Sequence, residues 1–196
     1  MWSREQDIRH DLYRPACAAR FEAGFDADKR LVAWKNTSAG QAIVPQVLTR
    51  AFGLPGGGPD KTTSEGAFDQ AYEWPAARIA HAAVNLPLQV GFWRSVGHSH
   101  QAFFKESFVD EVAHAAGADP LAFRERLLQR HPRHLAVLQA AAKAAGWGTP
   151  GAPAPDGAKT AKGLALHASF GAVVAQVAEV SLAADKTVRV HRVWCA

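Results

Sequence analysis

Between about residue 99 and residue 146 the apolar residues recur at helical spacing, while on either side they alternate. That ordering confines the chain to few architectures. Phe104, Phe108 and Val112 follow one another at i, i+4 and i+8, with Ala115 and Ala116 completing the face. Ser99 precedes this helix as N-cap and Gly117 follows it as C-terminal cap. Lys105, Asp110, Glu111 and His114 fall largely away from the apolar face, and Glu106, Asp110 and Glu111 read as solvated carboxylates without a catalytic role. Asp119-Pro120 opens a second helix as N-cap and N1, with Leu121, Leu127 and Leu128 inward, and His131-Pro132 breaks it. A third helix over 133–145 turns Leu135, Leu138 and Ala142 inward and stops at Gly146. Arg124, Arg126, Arg130 and Arg133 are expected on a solvated face.

The flanks follow a period of two. Residues 14–38 predict a β-hairpin around the polar cluster Asp26-Ala27-Asp28-Lys29, with Val32 and Trp34 on one face of its second arm. Residues 53–66 are turn formers almost throughout and predict a surface loop, without the Lys-Ser/Thr pair of a phosphate-cradling loop. Residues 78–94 read as extended. A Pro/Gly/Ala linker over 148–160 precedes strands over 163–169, 172–182 and 187–194, the last two joined by a turn at Ala183-Ala184-Asp185-Lys186. Helices gathered between β segments, instead of alternating with them singly, predict an α+β class, not a doubly wound parallel sheet.

Apolar residues are 48% of the chain and charged ones 20%, enough apolar surface to exclude wholesale disorder. The net charge is +4 and no run of five like charges occurs, so a nucleic-acid-binding tail is excluded. Cys17 and Cys195, the two cysteines, are too few for a disulfide scaffold or a thiolate zinc site and are expected as free buried thiols. No apolar run is long enough to span a membrane. The opening MWSREQDIRHDLYRP is neither signal nor transit peptide, so as given the chain reads as cytoplasmic.

The stretch most suggestive of chemistry is Gly91-Phe92-Trp93-Arg94-Ser95-Val96-Gly97-His98-Ser99-His100, which joins an extended segment to a helix start. Such junctions present backbone N–H groups to anions. Gly91 and Gly97 permit close backbone approach or positive φ, and Arg94 can take a carboxylate or phosphate in bidentate fashion. The competing reading is a tight connection with Trp93 in the core. His98, His100 and His114 could converge on a metal, although a capping role suits His98 and His100 better.

Gly91 to Phe103 (GFWRSVGHSHQAF), followed by ESFVDEVAHAAGADPLAFR from Glu106 to Arg124, resembles the large subunits of the molybdenum hydroxylases. The branch is that of the isoquinoline 1-oxidoreductase beta subunit and its aldehyde-dehydrogenase relatives. Trp2 to Asp11, Tyr13-Arg14-Pro15, and Gly163 to Val180 are similar to that branch too, so the likeness runs along nearly the whole chain in family order. It implies part of an α+β molybdopterin-binding region, with β-hairpins flanking a three-helix segment. The expected layout is residues 1–147 as a partial cofactor-binding region, 148–162 as linker, and 163–196 as a β-hairpin of a further, truncated domain.

The resemblance implies an oxidoreductase that hydroxylates an sp² carbon, in an N-heteroaromatic ring or at an aldehyde, with oxygen from water. It implies a molybdenum–molybdopterin cofactor, in the cytosine dinucleotide form, in the full-length parent. Electrons would leave to a [2Fe–2S] small subunit or a c-type cytochrome. In xanthine-oxidase-like members the matching loop reads aromatic-Arg-Gly-aromatic-Gly, where this chain has Trp93, Arg94, Ser95, Val96 and Gly97. Trp93, Arg94, Ser95 and Gly97 are thereby implied as cofactor-binding, Arg94 as catalytic and Val96 as substrate-side. No protein side chain is implied as a metal ligand. Val96 in place of the aromatic removes a ring-stacking surface. Lys61-Thr62-Thr63-Ser64-Glu65 supplies no arginine where purine-oxidising members place one, which argues against purines. The family's glycine-rich loop and its Gly-Glu-Pro-Gly segment with the general-base glutamate are absent. The chain is therefore expected to be partial, inactive alone and without tightly bound cofactor, its parent compatible with a periplasmic location. A non-catalytic module that binds or assembles a partner subunit is the alternative.

Overall fold

The computed structural model describes residues 1–196 except 57–59, 152, 155 and 156. Contacts group the chain into two compact units. The first comprises Met1–Gly24, Leu31–Asp69 and Pro75–Lys105; the second comprises Phe25–Arg30, Gln70–Trp74 and Glu106–Ala196.

In the first unit, α1 (Arg4–His10) begins with a reciprocal capping box between Ser3 and Gln6. The hairpin arms are β1 (Cys17–Phe25) and β2 (Leu31–Gly40), the second longer than its apolar alternation suggests. Trp34 of β2 is buried and its indole donates to Asn36 Oδ1. β3 (Ala77–Ala83) lies beside β2 in parallel, from Trp34 opposite Ala77 to Gly40 opposite Ala83, giving the order β1-β2-β3. A parallel neighbour requires a long crossover. That crossover carries α2 (Val44–Phe52), which the strand-and-loop reading does not contain. Ile43 at its N-cap has no capping side chain. Asp60 replaces it, its carboxylate accepting from the N–H groups of Ile43 (2.6 Å) and Val44 (2.9 Å). These donors and Thr62 outweigh burial and hold the Asp60 carboxyl below its ordinary pKa.

The loop over 53–66 departs from the surface expectation in its second half. Thr63, Ser64 and Ala67 just beyond are buried; part of the first half lies outside the described residues. Residues 84–89 complete the extended stretch irregularly, and Val90 forms a parallel bridge with Tyr13.

The long helix α3 (His98–Ala115) begins at His98, so Ser99 lies inside its first turn and not at its cap. Its buried positions include Gln101, Lys105, Glu106, Val109, Val112 and Ala113; Phe104 and Phe108 are half-buried and Ala115 is exposed. The apolar face is thus rotated from the Phe104–Phe108–Val112 line, and Lys105 and Glu106 are not solvated.

In the second unit, Asp119 caps α4 (Pro120–Arg126) by accepting from the N–H groups of Leu121 and Ala122, as its Asp-Pro start predicts. Arg124, expected in solvent, is fully buried. Its guanidinium meets Glu106 Oε2 (3.0 Å), the Glu106 carbonyl (3.1 Å), Asp110 Oδ1 (2.6 Å) and the Pro120 carbonyl (3.2 Å). Glu106 Oε2 also accepts from Tyr72 Oη (3.1 Å) and Leu166 N–H (3.0 Å). Burial alone opposes the charge on Arg124, but the facing Tyr72, Glu106 and Asp110 outweigh it and raise its pKa. Burial, then the Glu106 charge, pushes the Tyr72 hydroxyl up. Paired charges and shared donors are what let these groups leave water.

α5 (Pro132–Ala144) buries Leu138, Ala141 and Ala142. Lys162 Nζ donates to the carbonyls of Ala145, Gly146 and Thr149, a cation at the helix's carboxyl end. The antiparallel sheet β4 (Thr160–Ser169), β5 (Ala172–Leu182), β6 (Val188–Cys195) follows, with a bulge at Glu179/Val180. β6 is an outer strand whose Val188, Val190 and Val193 are exposed. Both cysteines are free, but Cys195 on β6 is exposed and Cys17 only half-buried, so neither is the buried thiol expected.

Candidate functional site

The Trp93–Gly97 segment forms a tight bend within the first unit. Ser95 and Val96 both adopt the left-handed region, at φ 67° and 44°. Such backbone costs roughly 1–3 kcal/mol per residue, and a β-branched residue there is a true outlier. Gly97 and Gly91 serve close approach instead. A Cβ on Gly97 would strike the Thr62 carbonyl oxygen and lie 2.9 Å from Glu65 N, and one on Gly91 would lie 2.7 Å from Leu12 Cδ1.

The bend is held from inside by the segment before β1. Tyr13 N–H donates to Gln89 O (3.2 Å) and Gly91 N–H to Tyr13 O (3.1 Å), which sets Arg14 beside the bend. Its guanidinium donates to the carbonyls of Val96 (3.2 Å) and Arg94 (3.1 Å) and to Ser99 Oγ (3.2 Å), and lies 5.9 Å from the Trp93 ring centre. Trp93, half-buried, donates its indole N–H to Leu12 O at 2.6 Å. Ser95 Oγ donates to Arg94 O (2.6 Å) and is paired with Ser99 Oγ.

Other polar groups of the bend are not engaged in this way. Arg94 is exposed, and among the described residues neither its guanidinium nor the N–H groups of Arg94 and Ser95 have a hydrogen-bond partner. Three residues before Trp93, Val90 is tied to Gln46 and Arg50, which line a groove of about 350 Å³ with Pro45, Thr49 and Gln89.

A buried polar cluster lies under the bend, built from four separate segments. Ser38 Oγ and Thr63 Oγ1 flank the two ring nitrogens of His81 at 2.7 and 3.0 Å. Gln101 Nε2 reaches Ser38 Oγ and the Thr63 carbonyl, each at 3.3 Å. His100 Nε2 lies 2.8 Å from that carbonyl, which only accepts, so the ring carries its proton on Nε2 and leaves buried Nδ1 without a partner. Burial lowers the pKa of both histidines. His100 further depresses His81, against an opposing pull from Asp60, and Arg14 further depresses His100 against its bond to Thr63. With Gly97 N–H donating to Thr62 O (2.9 Å), these contacts dock the loop against the start of α3.

His98 is buried, 3.9 Å from an Asp69 carboxylate oxygen. Among the described residues no three His, Cys, Asp or Glu side chains are gathered to hold a metal ion, so the convergence of His98, His100 and His114 is not realised. No described helix is long and apolar enough to cross a membrane.

Residues 1–128, a span that contains the whole bend, match the molybdopterin cofactor-binding domain family. The chain belongs to that family. The domain is 32% identical over 201 residues to the isoquinoline 1-oxidoreductase subunit beta of Brevundimonas diminuta, covering 100% of this chain and 25% of the relative. It is 30% identical over 138 residues to a membrane-bound aldehyde dehydrogenase (pyrroloquinoline-quinone) of Gluconacetobacter polyoxogenes, covering 67% of this chain and 18% of the relative. The quinoline 2-oxidoreductase of Pseudomonas putida 86 shares the fold, with a TM-score of 0.53 and 16% identity over 77% of this chain and 21% of that one. The domain thus spans a quarter or less of the length of these relatives, whose names are those of oxidoreductases. The resemblance to molybdenum hydroxylase large subunits and the mixed α+β class are both borne out.

The donor set suits the implied cofactor. An exposed guanidinium and two unpaired N–H groups on a rigid turn can bind anionic oxygens, and no protein side chain needs to ligate the metal.

Proposed function

We propose that the Trp93–Gly97 bend is the wall of this domain that meets a molybdopterin cofactor. Arg94 is its catalytic contact and binds with its guanidinium. Trp93, Ser95 and Gly97 shape the cofactor-facing surface, and Val96 faces the substrate. When bound, the cofactor supplies the redox chemistry. The residues present bind and orient. Arg94 pairs with anionic oxygens, the Arg94 and Ser95 N–H groups add fixed donors, and the locked turn avoids reorganisation on binding. The observation that carries this reading is the exposed Arg94 and the unpartnered Arg94 and Ser95 N–H groups of a strained turn that lies inside the family-matched span.

On this reading the parent enzyme hydroxylates an sp² carbon of an N-heteroaromatic or aldehyde with water. It passes electrons to a [2Fe–2S] subunit or a c-type cytochrome and uses the cytosine dinucleotide form of the cofactor. The names of the relatives favour those substrate classes. Val96, which offers no ring for stacking, favours a substrate held by its edges. This domain alone presents one wall and is inactive; stoichiometric molybdenum with turnover in the purified chain would overturn that inactivity.

The bend itself is tested by titrating inorganic molybdate into the ¹⁵N-labelled chain. The amides of Arg94 and Ser95 are expected to shift, with the response several-fold weaker in Arg94→Ala. Silent amides at both positions would refute the assignment.

A further inference from the structure

We infer that Arg14 is the positioning residue of the bend, holding Ser95 and Val96 in the left-handed region so that the donors on the opposite side face outward. The inference rests on the reading of that bend as cofactor-facing.

Four contacts carry it. One guanidinium spans two carbonyls of the same turn, those of Arg94 and Val96, and also reaches Ser99 Oγ at the start of α3. It lies against the Trp93 ring as well. A turn with two non-glycine residues at positive φ does not hold itself, and something outside it must over-determine it. A planar fork with five donors can bridge two carbonyls, whereas an ammonium on a flexible stem cannot fix both and stack on an indole as well. Arg14 is in turn held by the backbone bridge of Tyr13 with Val90 and Gly91, so the clamp and the bend share one local frame.

The charge has a second consequence. Among the described residues no carboxylate pairs with Arg14 or with Arg94, so two unneutralised cations serve the same turn. An anionic group at the outer face therefore meets Arg94 directly and the field of Arg14 through the turn.

The test uses the ¹⁵N-labelled full chain with Arg14→Lys, Arg14→Ala, Ser95→Gly and the double variant Arg14→Lys/Ser95→Gly. Arg14→Lys keeps the charge and loses the fork. It should leave the amides of β2 and β3 in place, shift those of Ser95, Val96 and Gly97, and speed exchange of the Gly97 amide at least tenfold. Adding Ser95→Gly, which makes positive φ accessible without a clamp, should recover at least half of that change. Inorganic molybdate should bind Arg14→Lys about tenfold more weakly than wild type despite the equal charge, and the double variant should regain part of the loss.

A bend unmoved in Arg14→Lys overturns the inference whatever molybdate does. So does loss of the β2 and β3 signals in that variant, because Arg14 would then serve the fold at large. If the bend moves as expected but molybdate perturbs no bend amide even in the wild type, the positioning role stands and the cofactor-facing reading falls. Arg14→Ala adds loss of charge and should weaken the molybdate response beyond that of Arg14→Lys; an equal response would remove the field of Arg14 from the inference and leave geometry alone.

Discussion

Replacing Arg124 by methionine removes a cation that is 0% exposed and four hydrogen bonds, and it takes the guanidinium away from the Glu106 carboxylate, itself 6% exposed. Asp110 contributes less, because its side chain is 43% exposed and solvent can take over from the arginine. The dominant loss is at Glu106, which keeps the Tyr72 hydroxyl and the Leu166 N–H but loses the guanidinium that lies 3.0 Å from it. Breaking one side of a buried pair costs about 3–5 kcal/mol. That is a large fraction of the ~5–15 kcal/mol that stabilises a typical domain. The second variant, Arg124→Met/Glu106→Gln, also removes the buried carboxylate charge while leaving an amide that can still accept from Tyr72 and Leu166. It should be more stable than Arg124→Met alone, by about 1–3 kcal/mol. Urea denaturation followed by circular dichroism reads both variants, with equal m-values confirming that the unfolded reference is unchanged. A loss under about 1 kcal/mol in Arg124→Met, or a double variant less stable than the single one, would refute the claim that paired charges are what let these groups leave water.

Three further outcomes follow from the same geometry. His81 and His100 have folded pKa values below those of the unfolded chain, so their contribution is complete above the ordinary histidine pKa of about 6.5 and is lost as pH falls toward the folded values; the first unit should melt lower at pH 5 than at pH 7, and an unchanged melting temperature would contradict this. Gly97→Ala drives a Cβ into the backbone of the 62–65 turn and should cost roughly 1–3 kcal/mol, whereas Gly163→Ala, with open space around it, should be close to neutral; equal thermal shifts would remove the close-approach argument. Val190→Lys on the outer strand should reduce light scattering at high concentration without lowering the melting temperature, and a stability loss above about 1 kcal/mol would show that Val190 is packed.

Legibility in the sequence varied with the kind of force involved. β5 and β6 emerge from period-two alternation to within a residue, while β4 begins at Thr160, three residues before its alternation suggests; Asp119-Pro120 announces α4, because each signal is local. Val44, Val47, Leu48 and Phe52 also carry a helical spacing, so α2 was readable; Asp60, which caps it from a distant loop, was not. Hydropathy assigns Glu106 and Arg124 to water, since it scores charges singly and cannot see that two helices bring them together. The polar cluster of Ser38, Thr63, His81, His100 and Gln101 has no linear signature at all. The motif around Trp93–Gly97 pointed to the bend, but glycine is the residue expected at positive φ. The sequence therefore suggested Gly97, where the structure strains Ser95 and Val96.

The two sheets must assemble on different clocks. β4, β5 and β6 are joined by short turns, so each new strand finds its neighbour a few residues away, whereas β3 is separated in sequence from β2 by more than thirty residues, on the order of a βαβ crossover. Closing so long a segment delays the contacts that reward it. The bend at Trp93–Gly97 rests on the loop inside that segment, so its final geometry depends on that long closure.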